Sequence, residues 1–297
     1  MGRVNERVSL LRLLSVPGRN AASVQEAIVW GADVNETSPN GFTPLMYAAL
    51  LNDDPDIVRA LIDDGANADA ETEAGMTALM WALLAETHDH AGQNMGALKD
   101  ARRRDAAMEI LKNSVNVNAV CRAFRWLNWT PLHFAAMEPD RNASLVSALL
   151  TVGANPNAET AEGVTPLMRA AARGDFSSAV HDLLAAGANV DAKSREEGRE
   201  DWTPLFYALT GPRRSPPVVR ELTRHSADVN HVAPNGATPL LLAVCLGDNP
   251  ALVKLLLDAG AAVRSPLLDR ARAKNHRRAA RLLEKATIAP KAMGGSV

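Results

Sequence analysis

Few residues in this sequence have side chains that could carry out chemistry at a site. His88, Asp89 and His90, with Glu86 just upstream, belong to the types that bind divalent metal ions. Neither cysteine lies near these residues in the sequence, and there is no second pair of histidines nearby. Nothing therefore holds the four side chains together as ligands. We therefore expect a solvated loop here, and a protein that binds no metal ion and no cofactor.

Cys121 is the other candidate, because its thiolate would be a nucleophile. Arg122 and Arg125 follow it closely, and a positive charge can lower the pKa of a thiol. No histidine stands beside it to act as a base. The sequence also contains no Gly-x-Ser-x-Gly elbow, no phosphate-binding loop and no His-Glu-x-x-His helix. This pattern favours a protein that is not an enzyme.

The elements that position these residues are set by an internal repeat. Thr-Pro-Leu, or Thr-Ala-Leu once, begins at Thr43, Thr77, Thr130, Thr165, Thr203 and Thr238. A second motif, Gly-Ala-Asx-x-Asx or a degraded form of it, closes each unit. In the first full unit, Thr43 is a candidate helix N-cap, Pro44 takes the first helical position, and Gly65 ends a second helix. Each unit is therefore predicted to be two helices followed by an extended finger.

A period of about 33 residues, with one full Thr-Pro-Leu-His-x-Ala motif at residues 130–135, resembles the ankyrin repeat. The resemblance implies an all-α ankyrin-repeat solenoid of stacked helix-turn-helix pairs with hairpin-like finger loops, six signature repeats and a capping unit at each end. The implied units are an N-terminal cap at 1–40, repeats at 41–74, 75–127, 128–162, 163–200, 201–235 and 236–265, C-terminal capping helices at 266–286 and a disordered tail at 287–297.

Two kinds of departure from the regular repeat are visible. The second repeat contains about fifteen extra residues, placed around 87–104, and lengthening a surface loop costs little free energy. Leu98–Leu111, which begins within this insertion, is predicted to be a lengthened second helix. The fingers at 118–130 and 191–203 are four residues longer than the other fingers. Their extra residues include Arg, Glu and Trp rather than Gly and Ser.

The resemblance also implies where a partner binds. In ankyrin repeats the residue before Thr-Pro-Leu faces the concave side, which generally contacts another protein. Here that row is apolar and has two tryptophans, so we predict a groove centred on Trp129 and Trp202, since binding hot spots favour Trp. The predicted partner-binding residues are Phe42, Met76, Trp126, Leu127, Trp129, Met137, Val164, Arg173 and Trp202. The alternative is that these rings pack beneath their own long fingers.

Composition limits the remaining possibilities. A net charge of −2 argues against a basic face for nucleic acid. Cys121 and Cys245 are too few for a disulfide framework and suit a reducing compartment. No apolar run reaches the ~20 residues that span a bilayer, and no secretory signal is visible. These features predict a soluble, cytoplasmic monomer.

The leading prediction is a non-enzymatic scaffold that binds a partner protein on the concave face of an ankyrin solenoid. The alternative is a regulatory or effector protein that acts through the insertion at 87–104 in the second repeat.

Overall fold

The structure is a computed structural model. It describes residues 9–16, 20–51, 54–84, 96–113, 115–138, 142–173, 178–247, 249–264 and 267–288. Within these residues the regular structure is helical and contains no strand, and none of the helices is long and apolar enough to cross a membrane. The chain divides into two compact units, unit 1 at Met1–Ala161 and unit 2 at Glu162–Val297.

Unit 1 is a stack of helix pairs. Its described helices are α1 (Leu10–Leu14), α2 (Ala21–Val29), α3 (Pro44–Leu51), α4 (Pro55–Asp63), α5 (Ala78–Leu83), α6 (Gly96–Leu111), α7 (Pro131–Ala135) and α8 (Ala143–Thr151). Each odd-numbered helix contacts the next odd-numbered helix, and the even-numbered helices do the same. First helices therefore form one layer and second helices another, and each repeat covers the apolar side of its neighbour.

Unit 2 repeats this arrangement. Its described helices are α9 (Pro166–Arg173), α10 (Ser178–Ala185), α11 (Pro204–Thr210), α12 (Pro216–Arg224), α13 (Pro239–Cys245), α14 (Pro250–Asp258), α15 (Leu267–Ala273) and α16 (Arg277–Ile288). The last pair buries Leu267, Ala271, Ala279 and Leu283 and leaves its arginines exposed, as expected of a cap.

The helices begin and end at the residues whose types predict it. Thr77 Oγ1 accepts a hydrogen bond from the Met80 N–H at the start of α5, and Asp54 Oδ1 accepts one from the Asp56 N–H at the start of α4. Both bonds satisfy N–H groups that have no partner inside the helix. Gly65 follows α4 with a φ of 88°, which glycine adopts without steric cost.

The closing motif links consecutive repeats. Asn35 accepts a hydrogen bond from the Asn67 N–H at 2.7 Å and donates one to the Gly65 carbonyl at 2.9 Å. Asn230 makes the same two bonds with the repeat that follows it. The regular Gly-Ala-Asx-x-Asx spacing therefore reflects a side chain that must reach two backbone groups of the next repeat.

Helix α6 is the second helix of the second repeat, and it begins within the insertion. The predicted helix at Leu98–Leu111 is confirmed, and it begins two residues earlier, at Gly96. Ala107 and Ile110 are buried on its inner side. The residues considered as metal ligands lie outside the described residues; these are Glu86, His88, Asp89 and His90. In the predicted tail, α16 continues through Ile288, and residues 289–297 lie outside the described residues.

Candidate protein-binding surface

The predicted row in unit 1 lies at different depths. Met76 is 1% exposed and Trp129 is 7% exposed, so both side chains belong to the core of the unit. Phe42 and Met137 are half-buried. Leu127 is 41% exposed. Residues that looked equivalent in the sequence therefore differ in the area that they offer to a partner.

The predicted row in unit 2 is similarly divided. Val164 is fully buried, Trp202 is half-buried and Arg173 is exposed. The Trp202 ring packs against two buried clusters, one around Tyr207 and the other around Phe206. These are the intramolecular contacts that the alternative interpretation expects. A partner contact at any of the nine residues stays a prediction.

Three half-buried aromatic rings cluster on the first-helix side of unit 1. The Phe42 ring centroid lies 5.3 Å from that of Tyr47 and 5.0 Å from that of Trp81. Sequence reasoning missed Tyr47 and Trp81, although both have the same place in their repeats. Each is the fifth residue of the unit that begins at Thr43 or Thr77, directly after the position where the signature has histidine. That shared place was the available signal.

The long finger of unit 1, residues 121–129, is here called finger 1. The Cys121 N–H donates to the Trp129 carbonyl at 2.8 Å, and the Asn128 N–H donates to the Cys121 carbonyl at 2.8 Å. Asn128 has a φ of 64°, in the left-handed region that asparagine tolerates better than most residues. The short finger before α3 has Gly41 at this place. The four extra residues therefore extend the tip and leave the base unchanged.

Neighbouring fingers hold finger 1 at both edges. The Arg122 N–H donates to the Ala74 carbonyl at 2.6 Å, and Arg122 Nη2 pairs with Glu71 Oε2 at 2.6 Å. On the other edge the Ala161 N–H donates to the Leu127 carbonyl at 3.1 Å. The backbone of finger 1 is therefore fixed by bonds to residues on either side of it.

The tip of finger 1 is apolar and faces water. A single 3-10 turn at Phe124–Trp126 leaves the Phe124 side chain 100% exposed. Arg125 is also exposed, and its guanidinium carbon lies 5.5 Å from the Trp126 ring centroid. Phe124, Trp126 and Leu127 together are called the apolar tip. Sequence reasoning found two of these three residues and missed Phe124.

Aromatic rings support the apolar tip from below. Trp126 meets Phe134 edge to face, with ring centroids 5.8 Å apart. Trp129 lies 5.2 Å from Phe134 and 5.8 Å from His133. Aromatic pairs in this distance range are mutually attractive. Phe134 therefore contacts both the tip residue Trp126 and the buried Trp129.

The long finger of unit 2, residues 194–202 and here called finger 2, has the same backbone bonds and a polar tip. Glu196 Oε2 accepts hydrogen bonds from the Tyr207 hydroxyl at 2.7 Å and from Arg199 Nη1 at 3.1 Å. The Arg199 guanidinium lies 5.4 Å from the Trp202 ring centroid and 5.5 Å from that of Tyr207. Burial raises the pKa of Tyr207 to about 12 and keeps its hydroxyl a donor.

Cys121 is not an activated nucleophile. Its thiol is buried at the base of finger 1, and burial raises its pKa. The positive charge of Arg122 acts in the opposite direction but has the smaller effect. The pKa of the thiol is therefore raised overall, because the lowering effect of Arg122 does not offset the loss of water. Among the described residues, no group of three or more His, Cys, Asp or Glu side chains is arranged to hold a metal ion.

A second exposed apolar surface lies at the end of α2. Val29 is 81% exposed and Trp30 is 68% exposed. Trp30 borders a shallow cleft that is also lined by Leu13 and Glu26. Sequence reasoning did not select these residues, because the N-terminal cap at 1–40 lacks the Thr-Pro-Leu motif that marks the row.

Comparison with known proteins assigns the fold to a family. The family model for ankyrin repeats, which represents three copies of the repeat, matches residues 13–91, 95–194 and 167–266. The chain belongs to the ankyrin-repeat family. Among solved structures, the human ASB11 ankyrin repeat domain superposes with a TM-score of 0.62 at 26% sequence identity, over 84% of this chain and 100% of that domain.

Relatives of known name share the repeats within longer chains. An ankyrin repeat and KH domain-containing protein of Caenorhabditis briggsae is 30% identical over 279 residues, which cover 81% of this chain and 10% of the relative. The human mitochondrial disaggregase is 32% identical over 63% of this chain and 25% of its own length. A putative ankyrin repeat-containing protein of Treponema pallidum is 33% identical over 43% of this chain and 41% of its own length. The chain thus spans less than half of each relative.

Proposed function

We propose that this protein is a non-enzymatic binding module that holds a partner protein on the apolar tip of finger 1. Ankyrin repeats are generally protein–protein interaction modules, so the family supports the class of function. The observation that carries the assignment is the fully exposed Phe124, which lies on a finger whose base is hydrogen-bonded at both edges. The raised pKa of the Cys121 thiol gives no support to an enzyme.

The apolar tip has the properties of a binding hot spot. Covering a large apolar side chain contributes roughly 1.5–3 kcal/mol, and Trp126 and Leu127 add area beside Phe124. Because the backbone is already fixed, a partner loses little free energy in ordering it. In this proposal Trp129 belongs to the core below the tip and does not touch the partner. Met76 and Val164, in their own repeats, likewise do not touch it.

Four of the predicted residues remain proposed partner contacts, each within its own unit. They share a side chain that is at least partly exposed, and they are Phe42, Met137, Arg173 and Trp202. We expect Tyr47 and Trp81 to act with Phe42, because the three rings form one cluster. We also expect a monomer whose partner is a protein, since a net charge of −2 gives no electrostatic footprint for nucleic acid.

The test is to remove the tip while keeping the fold. Tagged wild-type protein and the double variant Phe124→Ser, Leu127→Ser would each capture proteins from the native cell, which mass spectrometry identifies. We expect the variant to lose the partner, with an affinity loss of about 30-fold or more, since hot-spot truncations cost at least ~2 kcal/mol. Helical circular dichroism should not change, because both side chains are exposed.

Trp30→Ser is the matched control. It removes an exposed aromatic side chain from the same unit, so it should retain the partner if binding depends on finger 1 and not on general surface hydrophobicity. A partner that binds wild type and the double variant equally would rule out the apolar tip as the binding surface.

A further inference from the structure

The charge beside the apolar tip comes from two arginines with different environments. Arg122 is paired with Glu71 at 2.6 Å. Arg125 has no carboxylate within ion-pair distance in the part of the chain that the structure describes. Its guanidinium lies over the Trp126 ring. As far as the described residues go, the Arg125 guanidinium therefore lies unpaired directly next to Phe124 in the sequence.

Covering Phe124 changes the surroundings of Arg125. A partner large enough to remove Phe124 from water also displaces water from the neighbouring guanidinium. A charge that loses water without gaining a partner costs several kcal/mol. A carboxylate on the partner would offset that cost with a charge-assisted and often bidentate hydrogen bond, whereas a basic side chain would add repulsion.

Finger 2 contains an internal example of such a pair. There the Glu196 carboxylate meets the Arg199 guanidinium at 3.1 Å, above the rings of Trp202 and Tyr207. Counted from the shared base, finger 1 has Ala123 where finger 2 has Glu196. Finger 1 thus has the rings and a guanidinium but no acidic side chain of its own at this place.

We infer that finger 1 binds a peptide segment in which an aspartate or glutamate lies within one or two residues of a large apolar side chain. The apolar side chain covers Phe124 and Leu127, and the carboxylate pairs with Arg125. This inference rests on the proposed function and specifies the chemistry of its partner. Segments with lysine or arginine beside the apolar residue are discriminated against.

The test uses a library of random linear peptides displayed on phage as the probe. The whole chain is the target, as wild type and as the variants Arg125→Glu, Phe124→Ser and Trp30→Ser. We expect wild type and Trp30→Ser to enrich the same peptides, with an acidic residue next to Leu, Ile, Met or Phe. Synthetic versions of these peptides should bind Arg125→Glu at least about 10-fold more weakly, and selection on Arg125→Glu should enrich basic residues instead.

The outcomes separate this inference from the proposed function. Suppose that the selected peptides fail to bind Phe124→Ser, but show no acidic bias or bind Arg125→Glu as well as wild type. The apolar tip then remains the binding surface, and the acidic partner is overturned. Peptides that bind Phe124→Ser as well as wild type, or a library that enriches nothing on wild type over Phe124→Ser, overturn both. Circular dichroism of each variant checks that the exposed substitutions leave the helices intact.

Discussion

Finger 1 and finger 2 have the same length and the same backbone bonds, but their tips are chemically opposite. In each, the N–H of the first residue donates to the carbonyl of the last, and the next-to-last residue has a left-handed φ. Counted from the base, Phe124 corresponds to Glu197, and Leu127 corresponds to Glu200. Finger 1 has an apolar tip with a guanidinium, Arg125, that no carboxylate among the described residues pairs with, whereas finger 2 pairs Glu196 with Arg199 within the finger.

The comparison shows that the same finger backbone can carry two different sets of tip side chains. In finger 2, Glu196 bonds to both Arg199 and Tyr207, so the guanidinium and the phenol hydroxyl beside the Trp202 ring have an acceptor inside unit 2. In finger 1 the frame is equally well bonded, and the apolar side chains stay in water. The fold of finger 1 does not need these side chains to be exposed, which is the physical basis for the proposal that they bind a partner.

The largest expected difference between the fingers concerns their tryptophans. Trp129→Ala should lower the free energy of unfolding by about 3–5 kcal/mol, because the ring is almost fully buried. Trp202→Ala should cost about 2 kcal/mol, since part of its ring already lies in water. Urea unfolding followed by circular dichroism measures both values.

Phe124→Ala is the control for that pair. Its side chain makes no buried contact, so it should change stability by less than about 0.5 kcal/mol. If Trp202→Ala proved as costly as Trp129→Ala, the two rings would have equal structural roles, and the contrast drawn here between the fingers would be wrong.

A smaller effect is expected from giving the aromatic residue beneath finger 1 the hydroxyl group that its counterpart beneath finger 2 has. Phe134 is buried and has the place in its repeat that Tyr207 has in unit 2. Phe134→Tyr should cost about 1–3 kcal/mol, because the new hydroxyl has no acceptor corresponding to Glu196. Adding Ala123→Glu should recover about 1 kcal/mol by supplying one, and a double-mutant cycle in urea measures that coupling.

Tyr207→Phe is the reciprocal change in unit 2. It removes the 2.7 Å hydrogen bond to Glu196 and should cost about 1 kcal/mol. A coupling of zero between positions 123 and 134 would show that the fingers share only their backbone, and that the side chains of finger 1 cannot adopt the arrangement of finger 2.

Much of the fold followed from local sequence rules. Helix starts were predictable because Thr77 and Asp54 cap the backbone groups that follow them. The regular closing motif was visible in the sequence because Asn35 must reach two backbone groups of the next repeat. These contacts depend on residues close in sequence or related by the repeat period, so a single sequence shows them.

The proposed binding surface was only partly predictable, because exposure depends on side chains from other repeats. Trp126 and Leu127 were selected, but Phe124 was not, since nothing in the sequence distinguishes the exposed side of its 3-10 turn. Val164 and Trp202 both precede Thr-Pro-Leu, yet one is fully buried and the other only half-buried. Their depth is set by the volume of neighbouring side chains, which the repeat pattern does not specify.

The remaining expected effect is the alkaline titration of finger 2. Tyr207 has a pKa of about 12 in the folded state, above the ordinary value of 10.0, because burial disfavours the phenolate. The protonated phenol therefore stabilises the fold fully below the unfolded pKa, and this contribution is lost as the pH rises from about 10 towards 12. Stability should fall less over this range in Tyr207→Phe than in wild type. The ultraviolet absorbance of wild type minus that of Tyr207→Phe isolates this phenolate, and a midpoint near 10 would mean that the hydroxyl is in water and that finger 2 is not closed on itself.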